Sequence, residues 1–291
     1  MNIPFNFPAP SGFTSTPKWD GKAFSIEGVT IEVLEYSENF SGWSDDLTAL
    51  HEDVCGSSHP IDIASRLDAL SQVAKCNPKS STVIMEVGCS TGFFLKELLC
   101  LYPSSTIIGA DVVKEPLYRL AKLLPGVPLV RFDLLKSPLP SGVVDILIML
   151  NVLEHIEKDD DALVNAFNLL KPGGKIILEV PAGPYLFDDY DRQLKHFRRY
   201  SECELVNKLE VAGFSISRKS YLGFILFPAF ALVKCFSKLL SAGNVKSVVK
   251  NRASKTGGSL IMKWVMHFES KHLSSFSLPF GIRILITGNK P

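Results

Sequence analysis

Between residues 83 and 181, short apolar runs alternate with amphipathic stretches. The runs are TVIMEV, TIIGAD, LVRFD, VDILIML and KIILEV; the stretches cover 93–101, 116–124 and 160–170. Each run is bounded by Gly, Pro or Asp. Each is too short for an ordinary helix and lacks a polar face, which suits a strand buried on both sides in a parallel sheet. Strand and helix alternating at this pace predict an α/β fold built on a doubly wound sheet. No internal repeat competes with that reading.

The flanks are less regular. Residues 1–21 are rich in Pro, Gly and Ser and read as a loose arm. Residues 22–36 alternate apolar and polar around Gly28, which predicts a short hairpin. Helical patterns follow near 43–54 and over 62–75, the second with Ile63, Leu67, Leu70 and Ala74 on one face. Beyond the alternating region, a helix over 202–212 places Leu205, Leu209 and Ala212 together, with Gly213 as its stop. The last apolar run is RILITG.

Composition excludes several classes. The chain has 291 residues, 46% apolar and 21% charged, which is globular and not disordered. A net charge of +1 carries no global signal for nucleic acid. The six cysteines (Cys55, Cys76, Cys89, Cys100, Cys203, Cys235) form no C-x-x-C pair, so neither a disulfide framework nor a zinc ribbon is indicated. The opening MNIPFNFPAP has no basic n-region, and no apolar run reaches the ~18–20 residues of a membrane span. The expectation is a cytoplasmic protein. The charge is nevertheless uneven. From Val211 to Phe268 there is no Asp or Glu, but there are nine cations: Arg218, Lys219, Lys234, Lys238, Lys246, Lys250, Arg252, Lys255 and Lys263. With nine of the 31 basic residues there, the rest of the chain holds 22 against all 30 acidic ones.

The sharpest motif is Glu86-Val87-Gly88-Cys89-Ser90-Thr91-Gly92-Phe93, straight after an apolar run and straight before a helical stretch. Glycines at a strand-to-helix turn let the backbone approach a ligand, and the helix start offers free N–H groups. The spacing fails the dinucleotide fingerprint, because Ser90 and Phe93 stand where it requires glycine. NAD-dependent oxidoreduction is disfavoured on that ground, and a phosphate-cradling loop lacks its G-K-[ST].

The pattern resembles motif I of the class I S-adenosylmethionine (SAM)-dependent methyltransferases. Further segments follow in that family's order. Asp111 ends the second run, 19 residues after Gly92, at the place of the acid that binds the ribose hydroxyls. Phe132-Asp133-Leu134 looks like the adenine-edge motif, Asn151-Val152-Leu153-Glu154-His155-Ile156 like the segment after strand four, and Leu170-Lys171-Pro172-Gly173-Gly174-Lys175 like the turn before strand five. Ser90 departs from the Gly that many members carry. The resemblance implies a Rossmann-like sheet of seven mostly parallel strands with the last one antiparallel. It implies SAM as cofactor and S-adenosylhomocysteine as product. The cofactor residues it implies are Glu86, Gly88, Cys89, Ser90, Gly92, Asp111, Val112, Asp133, Leu134 and Asn151.

Residues 184–201, PYLFDDYDRQLKHFRRYS, match a D-(x4)-H-x-R-R-Y pattern of one methyltransferase subgroup through Asp191, His196, Arg198, Arg199 and Tyr200. That subgroup also often ends in a segment like Leu278–Leu285. Asp191, His155, His196 and Tyr200 are the catalytic candidates. A hydroxyl acceptor must lose a proton at or near attack, and a His suits that; His196 ranks first as base, with His155 as positioner or alternative base. Some relatives hold Mg²⁺ through E-x-x-E-H and a later His. Here Asn151 replaces the first Glu, leaving Glu154, His155 and His196. With one carboxylate in the set, no metal is expected.

The boundaries that follow are 1–80 for arm, hairpin and cover helices, 81–220 for the SAM-binding core, 221–280 for a basic apolar insert and 281–291 for the last strand. In the insert, Lys234 and Lys238 share a helical face. Leu260, Ile261, Trp264, Val265 and Phe268 form an apolar stripe, with Lys263 and His267 opposite. Such a segment is either a lid or core packing, or else a peripheral membrane contact through 221–268. The expected activity is O-methylation of a small-molecule or glycan- or lipid-linked hydroxyl. The alternatives are N- or C-methylation and, of another class, a non-catalytic SAM- or nucleotide-binding scaffold. Nucleic acid is not an expected partner, since no N-P-P-[FYW] segment is present.

Overall fold

The computed structural model describes residues 3–36, 44, 48, 58–240, 259–274 and 276–291, with the backbone alone for 236–240. The helix expected near 43–54 and residues 241–258 of the insert lie outside the described residues. The chain starts with a three-stranded antiparallel sheet, β1 (Lys18–Trp19), β2 (Phe24–Ile26) and β3 (Val29–Ile31). Glu27 and Gly28 both take positive φ, 51° and 83°, as a two-residue turn matched to strand twist requires. The hairpin is therefore where the alternation puts it. The arm is not loose, however. Phe7 is buried and meets Phe24 edge-on at 5.3 Å, because an aromatic with an apolar site in reach gains more by burial than the arm loses in freedom.

After β4 (Val33–Glu35) comes α1 (Pro60–Lys75). Five strands then carry the core: β5 (Val83–Val87), β6 (Thr106–Asp111), β7 (Leu129–Arg131), β8 (Val144–Leu150) and β9 (Leu170–Pro181). α2 (Phe93–Leu101), α3 (Glu115–Leu123) and α4 (Asp159–Leu169) make the crossovers from β5 to β6, β6 to β7 and β8 to β9. The rest is α5 (Asp189–Gln193), α6 (Glu202–Val211), β10 (Ser215–Leu222), α7 (Phe227–Leu240), α8 (Leu260–His272) and β11 (Arg283–Asn289).

The main sheet runs β10-β11-β9-β8-β5-β6-β7-β4. β11 lies antiparallel to both neighbours, and the pairings from β9 to β4 are parallel. This is the expected α/β architecture with one more strand than expected. β4 pairs in parallel with β7 through Val33↔Leu129 and covers an edge that would otherwise expose unpaired backbone. Chain order reverses at β5, with β6 on one side and β8 on the other, and a ligand cleft belongs beyond the strand ends at such a switch point. Apolar clusters fill both faces of the sheet. One holds Met85, Ile108, Leu147 and Leu178 with Phe7 and Leu205; the other holds Ile84, Ile107 and Ile148 with Leu95 and Leu117.

α1 differs from its expected orientation. Ile63 and Leu67 are exposed, while Ser65, Asp68 and Gln72 are buried beside Ala64, Ala69 and Val73. The polar face turns inward because partners wait there. Arg218 of β10 pairs with both oxygens of Asp68 at 2.8 and 3.0 Å, and the Ser65 hydroxyl donates to Glu179 of β9 at 2.7 Å. Burial pushes the Asp68 carboxyl up, and Arg218 offsets this.

Candidate active site

A cleft of about 710 Å³ opens at the carboxyl ends of β5, β6, β8 and β9. One half is built by the Gly88–Gly92 turn. Gly88 has φ +83° and a Cβ there would run into Val152; Gly92 has φ +75° and a Cβ there would meet Leu120. Ser90 also sits in the left-handed region, at φ 46°. The Asp111 carboxylate ties this turn down. Its Oδ2 accepts from Ser90 N–H at 2.7 Å, and its Oδ1 from Val112 and Val113 N–H at 2.7 and 3.2 Å. Asp133 caps the turn Leu134–Lys136 through Leu135 N–H at 2.9 Å. Asn151, at φ 54°, donates to Glu179 at 2.8 Å. Glu86, Gly88, Cys89, Ser90, Asp111, Val112, Asp133, Leu134 and Asn151 all line the cleft. Gly92 is not among the lining residues; its missing side chain makes room for α3 packing. Glu86 is buried, and its Oε2 has no hydrogen-bond partner among the described residues. Burial, with Asp111 and Glu97 nearby, pushes its carboxyl well up.

The other half is lined by Glu154, His155, Tyr190, His196, Arg199 and by Phe230, Val233 and Lys234 of α7. His196 Nδ1 lies 3.1 Å from Asp191 Oδ1, so Nε2 is the nitrogen left for a ligand. The His155 ring meets it edge-on at 4.6 Å. Burial lowers the His196 pKa, with Asp191 opposing and Arg199 and Lys234 adding to the drop. Burial thus favours the neutral ring over the imidazolium. Asp191 accepts from Arg199 at 2.8 Å and Lys234 at 3.0 Å. Burial would raise its carboxyl, yet the His196 hydrogen bond and the two cations hold it well below the usual range. Glu154 is fully buried with neither carboxyl oxygen hydrogen-bonded among the described residues. Burial pushes it up to about 8, and Arg283 and Arg199 only partly offset this.

Two catalytic candidates stand back from the cleft. Tyr200 is fully buried, its hydroxyl donating to Asp159 Oδ2 at 2.9 Å and Leu153 C=O at 3.3 Å. It fastens the loop to α4, so an acceptor does not reach it. Asp191 is also fully buried and meets the cleft through its contacts with His196 and Arg199. Lys234, one of the cations of the basic insert, turns in. Its ammonium is buried and donates to Asp188 at 2.6 Å and to Asp191, because two buried carboxylates attract a cation more strongly than water hydrates it at this position. The pattern reading passed over Arg283, which joins Glu179 to Asp62 of α1 beside the cleft. A signal existed, since a Glu inside the apolar run KIILEV needs a buried cation.

Among the described residues, Glu154, His155 and His196 each bring a ligand atom within 4.8 Å of the others. One carboxylate and two imidazoles could hold a transition ion; Mg²⁺ prefers more oxygen.

Residues 85–178, from β5 into β9, match the family described as "Methyltransferase domain". Over these residues the chain is similar to SAM-dependent methyltransferases. Two curated proteins are similar to it. A "probable S-adenosylmethionine-dependent methyltransferase" of Mycolicibacterium smegmatis is 27% identical over 135 residues, 46% of this chain and 52% of that one. A malonyl-[acyl-carrier protein] O-methyltransferase of Legionella pneumophila is 34% identical over 131 residues, 44% and 45% of the two chains. The chain thus spans about half the length of the curated relatives it matches. A solved phosphoethanolamine N-methyltransferase of Haemonchus contortus, in complex with S-adenosylhomocysteine, shares the fold. It superposes with TM-score 0.54 at 14% identity, covering 84% of this chain and 57% of that one. SAM is the cofactor of such a methyltransferase domain, and the cleft suits it: the side-chain-free turn admits a close ligand, and the orphaned Glu86 Oε2 calls for a donor such as an ammonium.

Proposed function

We propose that the protein transfers the methyl group of SAM to a hydroxyl of a small-molecule or glycan- or lipid-linked acceptor, with His196 as general base. The observation that carries this is the Asp191–His196 pair at the cleft wall. A buried carboxylate holds Nδ1, burial favours the neutral ring, and Nε2 is left for the acceptor. One relative's name, an O-methyltransferase, supports oxygen as the acceptor atom.

When bound, SAM would supply an electrophilic methyl on a sulfonium, with the neutral thioether as leaving group. Asp111 and Asp133, which line the cleft, would offer acceptors to the ribose and adenine of SAM, and Glu86 to its ammonium. His196 Nε2 takes the proton leaving the acceptor O–H. Asp191 keeps the proton on Nδ1 and stabilises the cation that forms. His155 packs against the ring and fixes its tilt. Glu154, protonated near pH 7, offers a hydrogen bond to an acceptor oxygen. α7 lines the acceptor side through Phe230 and Val233. Alignment of this kind can supply roughly 7–11 kcal/mol of the barrier.

The test is label transfer from methyl-labelled SAM to native cell extract, resolved into organic-soluble, small aqueous and macromolecular fractions. His196→Ala is expected to slow transfer roughly 10²–10⁴-fold while S-adenosylhomocysteine affinity by calorimetry stays within about two-fold. Unchanged transfer removes His196 from the mechanism. No label anywhere, despite cofactor binding, favours the scaffold reading.

A further inference from the structure

We propose that the outer face of α8 is a docking surface for an anionic lipid bilayer, placed at the rim of the cleft. Leu260, Ile261, Trp264 and Phe268 are 79%, 76%, 68% and 40% exposed. At 3.6 residues per turn they fall within about 100° of arc. A large apolar stripe turned to water is uncommon on a monomer and marks an interaction site.

The exposure is built in. Ser259 caps the helix by accepting from Met262 N–H, and Met266 is buried on the opposite side. Glu269 is also buried there, and its carboxylate accepts from Gly223 N–H at 2.6 Å and Ile225 N–H at 2.9 Å. Rotating the helix to hide the stripe would strip two backbone donors of their acceptor and expose Met266. On α7, the Lys234 ion pairs likewise fix the rotation, and Leu232 and Val233 stay 60% and 58% exposed.

Charge selects the occupant. Among the described residues of 211–268, Arg218 and Lys234 are paired inside the protein, with Asp68 and with Asp188 and Asp191, and Lys219 pairs with Glu202 at the surface. Lys263 is exposed beside the stripe, and 241–258, which leads into α8, adds Lys246, Lys250, Arg252 and Lys255 without one acid. A second copy would bring the stripe and its Lys263 against themselves, like charge on like, since a two-fold interface pairs a patch with itself. An anionic bilayer offers both the apolar depth and the opposite charge. Met262 of α8 and the exposed Val233 of α7 both line the cleft. On the methyl-transfer reading above, an acceptor with an apolar tail reaches the site from the bilayer.

The test is co-sedimentation of the full chain with vesicles of phosphatidylcholine alone or mixed equally with phosphatidylglycerol, at low and high salt. Binding to the mixed vesicles alone is expected, weakened by salt and at least ten-fold weaker in the Ile261→Glu, Trp264→Glu double variant. Trp emission should shift to the blue on mixed vesicles in the native chain and not in Trp264→Phe. Absence of binding at low salt, or binding unchanged in the double variant, overturns the proposal. So does a dimer by light scattering that the double variant dissolves. S-adenosylhomocysteine affinity, measured on the same variants and expected to be unchanged, keeps failure of docking distinct from failure of the methyltransferase site.

Discussion

Glu154 is a cleft carboxyl out of reach of water: fully buried, without a side-chain hydrogen-bond partner among the described residues, and pushed up from 4.5 to about 8. A raised carboxyl binds its proton more tightly folded than unfolded. Its contribution to stability is therefore complete below about pH 4.5 and is lost as pH rises through about 8. Glu154→Gln keeps the shape without the titration. Against that variant, the native chain is expected to lose up to about 1.4 kcal/mol of stability per pH unit across the window, read by urea titration at several pH values. Parallel curves would show that the carboxyl is not held neutral. For His196 the sign is opposite: its lowered pKa places the acid limb of turnover below pH 6.5, where an unperturbed imidazole would already be half charged.

At the scale of elements, the β5–α2 turn carries the tightest backbone constraint. Gly88 combines φ +83° with a Cβ position already filled by Val152. Gly88→Ala therefore meets left-handed strain, on the order of 1–3 kcal/mol, and a clash. Lower thermal stability and weaker S-adenosylhomocysteine binding are expected together. Adding Val152→Ala removes the clash and not the strain, so a partial rescue in calorimetry separates the two. The turn was legible in the sequence because glycine at a strand-to-helix junction has few other uses. The inward face of α1 was not. Ile63 and Leu67 follow helical periodicity, yet Ser65 and Asp68 are the buried ones, since their partners Glu179 and Arg218 come from strands 114 and 150 residues away.

For the whole molecule, one buried charge cluster joins the insert to the core. Lys234 of α7 reaches Asp188 and Asp191, which also hold Arg199 and His196. Lys234→Met leaves buried carboxylate short of a donor, at a cost of roughly 1–3 kcal/mol. It should loosen α7, raise KM for the acceptor and speed proteolysis within 227–240. An unchanged digestion pattern would show that α7 is held by Phe230 and its apolar neighbours alone. Among the described residues, no helix is long and apolar enough to cross a membrane.

The alternation of apolar runs determined the α/β sheet by itself, because strand and helix periodicity are local properties of the chain. The same holds for the glycine turn and for the acids at Asp111 and Asp133, whose place at strand ends follows from the runs before them. Tertiary structure alone decided the rest. Whether Lys234 faces water or Asp191, whether Tyr200 meets an acceptor or Asp159, and whether Val33–Glu35 closes a hairpin or edges the main sheet each depends on a partner far along the chain. Polar side chains go where those partners stand, since an unpaired charge in the interior costs more than any local preference supplies.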